Sequence, residues 1–412
     1  MVVAGPGAPE MRYMAEALAE IGALRAYVAP FSPTLSEVET SPFRNLGPLG
    51  RGVLRQLRRR IVSDGVARSE RPSAARVADI AATVALRVGL APRLVELFDA
   101  WRNRAMQNRL AELLKPTDTD LIVPAGAALA ALRRARELSV RGWLDCPTAH
   151  HGYAWRLLTE ELRLQPDFAA TMQYPAASQR AADRLDREID VADELIVLSS
   201  FQLRTYQEEG VPAPRLHLVP LGVDVDLFRP LRRRQPDPFT IGFVGQVTQR
   251  KGVSYLVQAF ESLRPLGARL LVVGRPIGPR DPWFRSGVVH RLPVARSTLP
   301  EVYAEMDVVV LPSLIEGFGL TALEAMACGV PVIVSENTFA SDIVTDGVDG
   351  YVVPIRDAAA IADRIERLMN DDALRLEMGA NARAAAERHS WHAFGRQIVA
   401  LVDGQGRESK VD

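Results

Sequence analysis

Two glutamates, Glu316 and Glu324, bracket a Gly-Phe-Gly turn in the stretch EGFGLTALE, residues 316–324. A solvated helix surface has no use for that arrangement, whereas a site that binds a phosphate and a polyol together does. Gly317 and Gly319 let the backbone approach a ligand and present amides with no Cβ in the way. A helix is expected from about residue 320, and its first N–H groups suit a diphosphate. Glu324, on the first turns of that helix, can accept two hydroxyls of a ribose. Glu316 lies before the turn, where a group bonded to the outer phosphate would reach it. For either glutamate alone a solvated acid or a helix-dipole partner is the simpler explanation. Together they read as one carboxylate for each sugar of a nucleotide sugar, with the diphosphate between.

Two more segments carry candidate chemistry. In FVGQVTQRKGVSYLVQAF a strand runs into Gly245, then a loop with Arg250 and Lys251, then a helix that should bury Leu256, Phe260 and Leu263. Two cations before a helix N-terminus make an anion site. Lys251 is one of only three lysines among fifty basic residues, which suggests that its compact charge is wanted there. In RGWLDCPTAHHGYAW, His150 and His151 follow an expected strand at 141–145 and are candidates for the mouth of a cleft between domains. The acidic pairs DTD (118–120) and DVD (224–226) read as turn or capping acids, so no metal is expected.

The elements that position these residues alternate between short β-branched runs and helical patterns, as in parallel α/β layers. VVAG (2–5), LIVP (121–124), ELIVLSS (194–200) and LHLVP (216–220) read as strands of a first half. MRYMAEALAEIG reads as a helix with Met14, Leu18 and Ile21 on one buried face. PLGVDVDLFRPLRRRQPDP (220–238) reads as a linker. Beyond it, FTIGFVG, RLLVVG, VVHRL, DVVVLPS, VPVIVS and GYVVP give six apolar strands of a doubly wound, Rossmann-like sheet covered on both faces. The expected organisation is an N-terminal domain over 1–219, the linker, a C-terminal domain over 239–390, and a final helix and tail over 391–412.

The chain has 412 residues, long for one core, with fifty basic side chains balancing fifty acidic ones. No global field therefore favours nucleic acid. The local exception, GRGVLRQLRRRIV (50–62), suits a solvated helix face or a strip that meets anionic lipid. Cys146 and Cys328 suit buried thiols in a reducing cytoplasm. The N-terminus lacks the basic start and apolar run of a signal peptide, and no stretch approaches the ~20 apolar residues of a membrane span. The expectation is a cytoplasmic protein, at most peripheral at a membrane.

From about residue 190 to 395 the chain resembles the retaining glycosyltransferases of the GT-B fold that carry the Glu–seven residues–Glu motif, glycosyltransferase family 4. The segments that carry the resemblance are ADELIVLSS, LVPLGVDVDLFRP, FVGQVTQRKG, DVVVLPS, EGFGLTALEAMACGVPVIVS and TDGVDGYVVP, in that order. It implies two Rossmann-like domains and transfer of a sugar from a nucleoside diphosphate sugar to a hydroxyl acceptor: a glycan, a lipid or a natural product. By the same resemblance, Lys251 with Arg250 would bind the diphosphate, Glu316 the donor sugar and Glu324 the ribose. Gly317, Phe318, Gly319, Leu320 and Thr321 would line sugar and phosphate, and the base would lie near Arg291 and Leu292. His150 would stand near the reacting carbon, with His151 as the alternative. Gly5 and Gly7 would take the place of an N-terminal glycine loop, and Gly245 would open the second-domain loop. The chain departs from the family in Gln246 and Leu221, where arginine and asparagine are usual. A non-catalytic nucleotide-sugar binder and a nucleotide-sugar epimerase are the alternative readings. The neighbourhood GPGAPE is not the G-x-G-x-x-G of a nicotinamide dehydrogenase.

Overall fold

The structure is a computed structural model, and it describes residues 1–5, 9–29, 63–67, 92–174, 178–231, 238–278 and 287–404. Gly7 and the basic strip 50–62 lie outside the described residues. Among the described residues twelve strands form two parallel six-stranded sheets. The first contains β1 (Val2–Ala4), β2 (Ala26–Val28), β3 (Asp120–Pro124), β4 (Arg141–Asp145), β5 (Glu194–Val197) and β6 (Leu216–Leu218), in the order β2-β1-β3-β4-β5-β6. The second contains β7 (Thr240–Val244), β8 (Arg269–Val273), β9 (Val288–Arg291), β10 (Val308–Leu311), β11 (Val332–Ser335) and β12 (Tyr351–Val353), in the order β12-β11-β10-β7-β8-β9.

That second order is the doubly wound pattern in which chain direction across the sheet reverses between two neighbouring strands. The reversal falls between β7 and β10, which pair through Val308 with Ile241 and Val309 with Gly242. Every residue of both strands is buried, as parallel strands covered on two faces require. Loops leaving the carboxyl ends of two such strands diverge, and the crevice between them is where open α/β sheets bind ligands. The loops that leave β7 and β10 carry Lys251 and Glu316 respectively.

The chain divides into two compact units: Met1–Cys146 with Gln179–Ile196 and Phe394–Asp412, and Pro147–Ser178 with Val197–Ala393. In the first, the helix Pro9–Glu20 buries Met11, Met14 and Leu18 completely. Ile21 departs from the expected face: it is 50% exposed, because the helix ends at Glu20 and the chain turns there. The acids of DTD are structural. Asp118 accepts the Lys115 N–H across a turn and both Nε and Nη2 of Arg25 at 2.6 Å, while Asp120 accepts from Arg141 and Trp143. In the second unit, Asp224 of DVD accepts the Leu227 N–H in a turn. The helix Val253–Leu263 buries Leu256, Phe260 and Leu263 as its spacing predicts. Cys146 and Cys328 are both buried. Among the described residues no helix is long and apolar enough to cross a membrane.

Candidate active site

The loop after β7 folds into a single 3-10 turn, Gln249–Lys251, closed by Gly252 in the left-handed conformation (φ 66°). Glycine is required there twice over. A side chain would strain the backbone, and its Cβ would stand 1.9 Å from the Pro312 carbonyl oxygen. This close approach locks the turn against the loop after β10: Leu314 N–H donates to the Arg250 carbonyl, and Arg250 Nη1 donates to the Ile315 carbonyl at 3.0 Å. Asn337 steadies the second loop from beneath, giving its amide to Leu314 O and taking the Glu316 N–H on its own carbonyl.

These contacts bring Arg250, Lys251 and Glu316 together. Lys251 Nζ lies 2.5 Å and Arg250 Nη1 3.3 Å from the same Glu316 oxygen, Oε1. Burial alone would raise the Glu316 carboxyl, but Lys251 first and Arg250 second hold it down to about 2. The Lys251 ammonium is lowered by burial, and Glu316 offsets part of that. A pocket of about 240 Å³ opens over the cluster, lined by Arg250, Ile315, Glu316 and Gly317 on one side and by Thr148, Ala149, Gln173 and Tyr174 on the other.

The Gly-Phe-Gly turn is anchored from both sides. Phe318 stacks on Phe339 with ring centroids 5.0 Å apart, a contact worth about 0.5–1.5 kcal/mol beyond its burial. Ser199 Oγ donates to the Gly317 carbonyl at 2.8 Å. A Cβ at Gly317 would meet the Pro147 carbonyl oxygen at 2.1 Å, so only glycine permits the approach. Gly319 (φ 113°) begins the helix Leu320–Ala327 with no side chain capping it, which leaves the first N–H groups around Leu320 and Thr321 facing the turn. Gly245 follows β7, and its N–H is already given to Val273 O.

Glu324 stands apart from the Lys251 cluster, with partners of its own. Arg296 Nη2 lies 3.1 Å from its Oε1, and the Tyr303 hydroxyl lies 3.3 Å from its Oε2. Burial raises this carboxyl to about 7, with Arg296 and Tyr303 offsetting only part of the effect. Arg291 directs its guanidinium to Glu305, with two bonds of 2.7 Å, and Leu292 is 61% exposed. His150 caps the helix His151–Leu164: its Nδ1 accepts the Gly152 N–H, which leaves the ring proton to Nε2. Its backbone N–H donates to Thr205 Oγ1, and burial, with His151 and Arg156 nearby, lowers the ring's pKa to about 3, so the ring is neutral. His151 stacks on it at 4.4 Å. Arg296, Tyr303 and the buried acid Glu161 have no motif or spacing in the sequence that marks them.

Two parallel, doubly wound six-stranded sheets with helices are the architecture of the GT-B class of glycosyltransferase. The family model for glycosyl transferases group 1 matches residues 238–371. A D-inositol 3-phosphate glycosyltransferase from Xylanimonas cellulosilytica is 33% identical over 329 residues, 69% of this chain and 77% of that protein. The chain belongs to the group 1 glycosyl transferases, and it is a glycosyltransferase of the GT-B fold. Among solved structures, a sucrose-phosphate synthase from Thermosynechococcus elongatus superposes over 99% of this chain and 96% of its own, with TM-score 0.59 and 21% identity. The Anabaena protein HepE, solved in complex with UDP-glucose, superposes over 98% and 99% with TM-score 0.63 and 16% identity.

Proposed function

We propose that the protein moves a sugar from a nucleoside diphosphate sugar to an acceptor hydroxyl, with retention of configuration and without a metal ion. The observation that carries this reading is the Arg250–Lys251–Glu316 cluster beside a pocket at the β7/β10 crevice. Departure of the nucleotide carries the bonding electrons onto the diphosphate, which gains a negative charge, and the barrier falls where fixed positive charge already waits for it. Lys251 and Arg250 supply that charge, together with the uncapped N-terminus of Leu320–Ala327. Glu316, kept ionised by the same cations, accepts hydroxyls of the transferred sugar. Glu324 takes the ribose hydroxyls, and the base lies near Arg291 and Leu292. His150, neutral and with its proton on Nε2, presents a hydrogen-bond donor toward the reacting sugar.

Retention is attributed to front-face attack, in which the departing phosphate takes the acceptor proton. No second acid/base carboxylate is then needed, unlike in glycoside hydrolases. Cytoplasmic placement and a contact of residues 50–62 with anionic lipid belong to the same proposal. The test is a panel of UDP-, GDP- and dTDP-sugars, read by thermal shift and by release of the nucleoside diphosphate. At least one should stabilise the protein and be slowly hydrolysed. Unaltered melting and no release across the panel, with folded protein, would overturn the proposal.

A further inference from the structure

Eleven residues beyond His150, on the same helix, Glu161 is 0% exposed. Its sequence context, TEELRL, gives no sign of this: Glu160 beside it is exposed. Glu161 Oε1 accepts from the Gln249 amide at 2.6 Å and from the Tyr255 hydroxyl at 2.9 Å, and Oε2 accepts from Arg356 Nε at 2.8 Å. A carboxylate only accepts, so the nitrogen of the Gln249 amide must face it. That nitrogen also donates to Ser254 Oγ at 2.7 Å, while Gln249 Oε1, buried, has no hydrogen-bond partner among the described residues. The amide is therefore turned to serve Glu161 even though its oxygen is left unsatisfied. Arg356 grips the helix further, through Glu160 and the Leu157 carbonyl, and does so with φ at 66°, an uncommon conformation for a residue with a side chain. Such conformations persist where the surroundings fix them.

Gln249 is the first residue of the 3-10 turn that holds Arg250 and Lys251. Its N–H is held as well, by Thr171 Oγ1 at 3.3 Å. A helix rises about 1.5 Å per residue, so Glu161 sits roughly 16 Å along a rigid rod from the residue that caps it, His150. Thr148 and Ala149, just before that cap, line the same pocket as Arg250 and Glu316. One buried carboxylate thus ties the histidine-bearing helix to the cation-bearing turn.

We propose that Glu161 is a positioning residue for the transfer reaction, acting through Gln249 to set Lys251 and Arg250 against the leaving diphosphate. The inference rests on the proposed function. A displacement of about 1 Å at such a group can cost on the order of 10²-fold in rate.

The test uses the whole chain with the same panel of UDP-, GDP- and dTDP-sugars as probes, at least one of which the proposed function requires to be turned over. Gln249→Leu keeps the Glu161–Arg356 ion pair and removes the link to the turn, together with the Gln249–Ser254 bond within it. It should lower kcat about 10²-fold while donor KM moves a few-fold at most, since the lost interaction belongs to the transition state. Glu161→Gln should do the same, and the exchange Glu161→Gln with Gln249→Glu, which rebuilds the amide–carboxylate bond in reverse, should recover most of the lost kcat. Glu160→Gln, an exposed acid that also binds Arg356, should leave turnover unchanged. Wild-type kcat in Gln249→Leu, or no recovery in the exchange, would overturn the proposal even if melting temperatures fall. Undiminished turnover in Lys251→Ala would instead overturn the donor-site reading itself.

Discussion

Replacing Lys251 with alanine leaves Glu316, 8% exposed, with Arg250 at 3.3 Å as its remaining cation. In the intact protein the Glu316 carboxyl stands at about 2 against an ordinary 4.5. At about 1.4 kcal/mol per tenfold, that difference is worth roughly 3 kcal/mol of stability. Removing one partner of a buried ion pair costs about 3–5 kcal/mol by independent reckoning, so the two estimates agree in size. The folded-state pKa is depressed, so this contribution is full above 4.5 and is lost as pH falls through about 2. Urea unfolding near pH 7 should therefore show Lys251→Ala destabilised by about 2–3 kcal/mol, since Arg250 retains part of the interaction. The deficit should shrink as the medium is acidified. The double variant Lys251→Ala with Glu316→Gln should be more stable than Lys251→Ala alone, because the buried charge goes with its partner. Strict additivity of the two single changes would show that the pair is not coupled and would refute this account of the cluster.

Three further outcomes follow from the same geometry. Glu316→Gln keeps the shape and removes the charge, and should lower kcat by about 10²–10³-fold with the fold retained, measured as nucleotide release at saturating donor. Glu324, raised by burial to about 7, should make donor affinity improve as pH rises through that value, and Glu324→Gln should flatten the dependence of KM on pH. Its effect on stability has the opposite sign: a carboxyl raised in the folded state contributes fully below its unfolded value and loses that contribution as pH rises through about 7. Gly317→Ala should abolish activity and lower the melting temperature, because its Cβ would stand 2.1 Å from Pro147 O, where backbone cannot yield cheaply.

How much of this was legible in the sequence depended on whether a residue's role lies in its own segment. Lys251 and Glu316 could be read because each follows a continuous apolar strand, and in a doubly wound sheet the ends of β7 and β10 lie side by side at the switch point. Gly317 stood out because a glycine lets something come close to the backbone, and what comes close in the structure is the Pro147 carbonyl. Arg296 and Tyr303 could not: they reach Glu324 from a 3-10 turn, Arg296–Thr298, and a five-residue helix, Leu299–Tyr303, each too short to show a period. Glu161 was hidden for another reason. An acid on an amphipathic helix reads as solvated unless its partners are known, and those partners, Gln249, Tyr255 and Arg356, are 88 to 195 residues away in sequence. Ile21 was misplaced because a periodic pattern does not reveal that the helix stops one residue earlier. Side-chain direction was equally illegible, as Arg291 shows by turning to Glu305.

If Lys251 and Glu316 act on a nucleoside diphosphate sugar, single-turnover release of nucleoside diphosphate from the UDP-, GDP- and dTDP-sugar panel separates wild type from Lys251→Ala. The wild type should release it from at least one donor, and a folded Lys251→Ala protein should release none above background. Equal release by the two proteins would contradict that assignment.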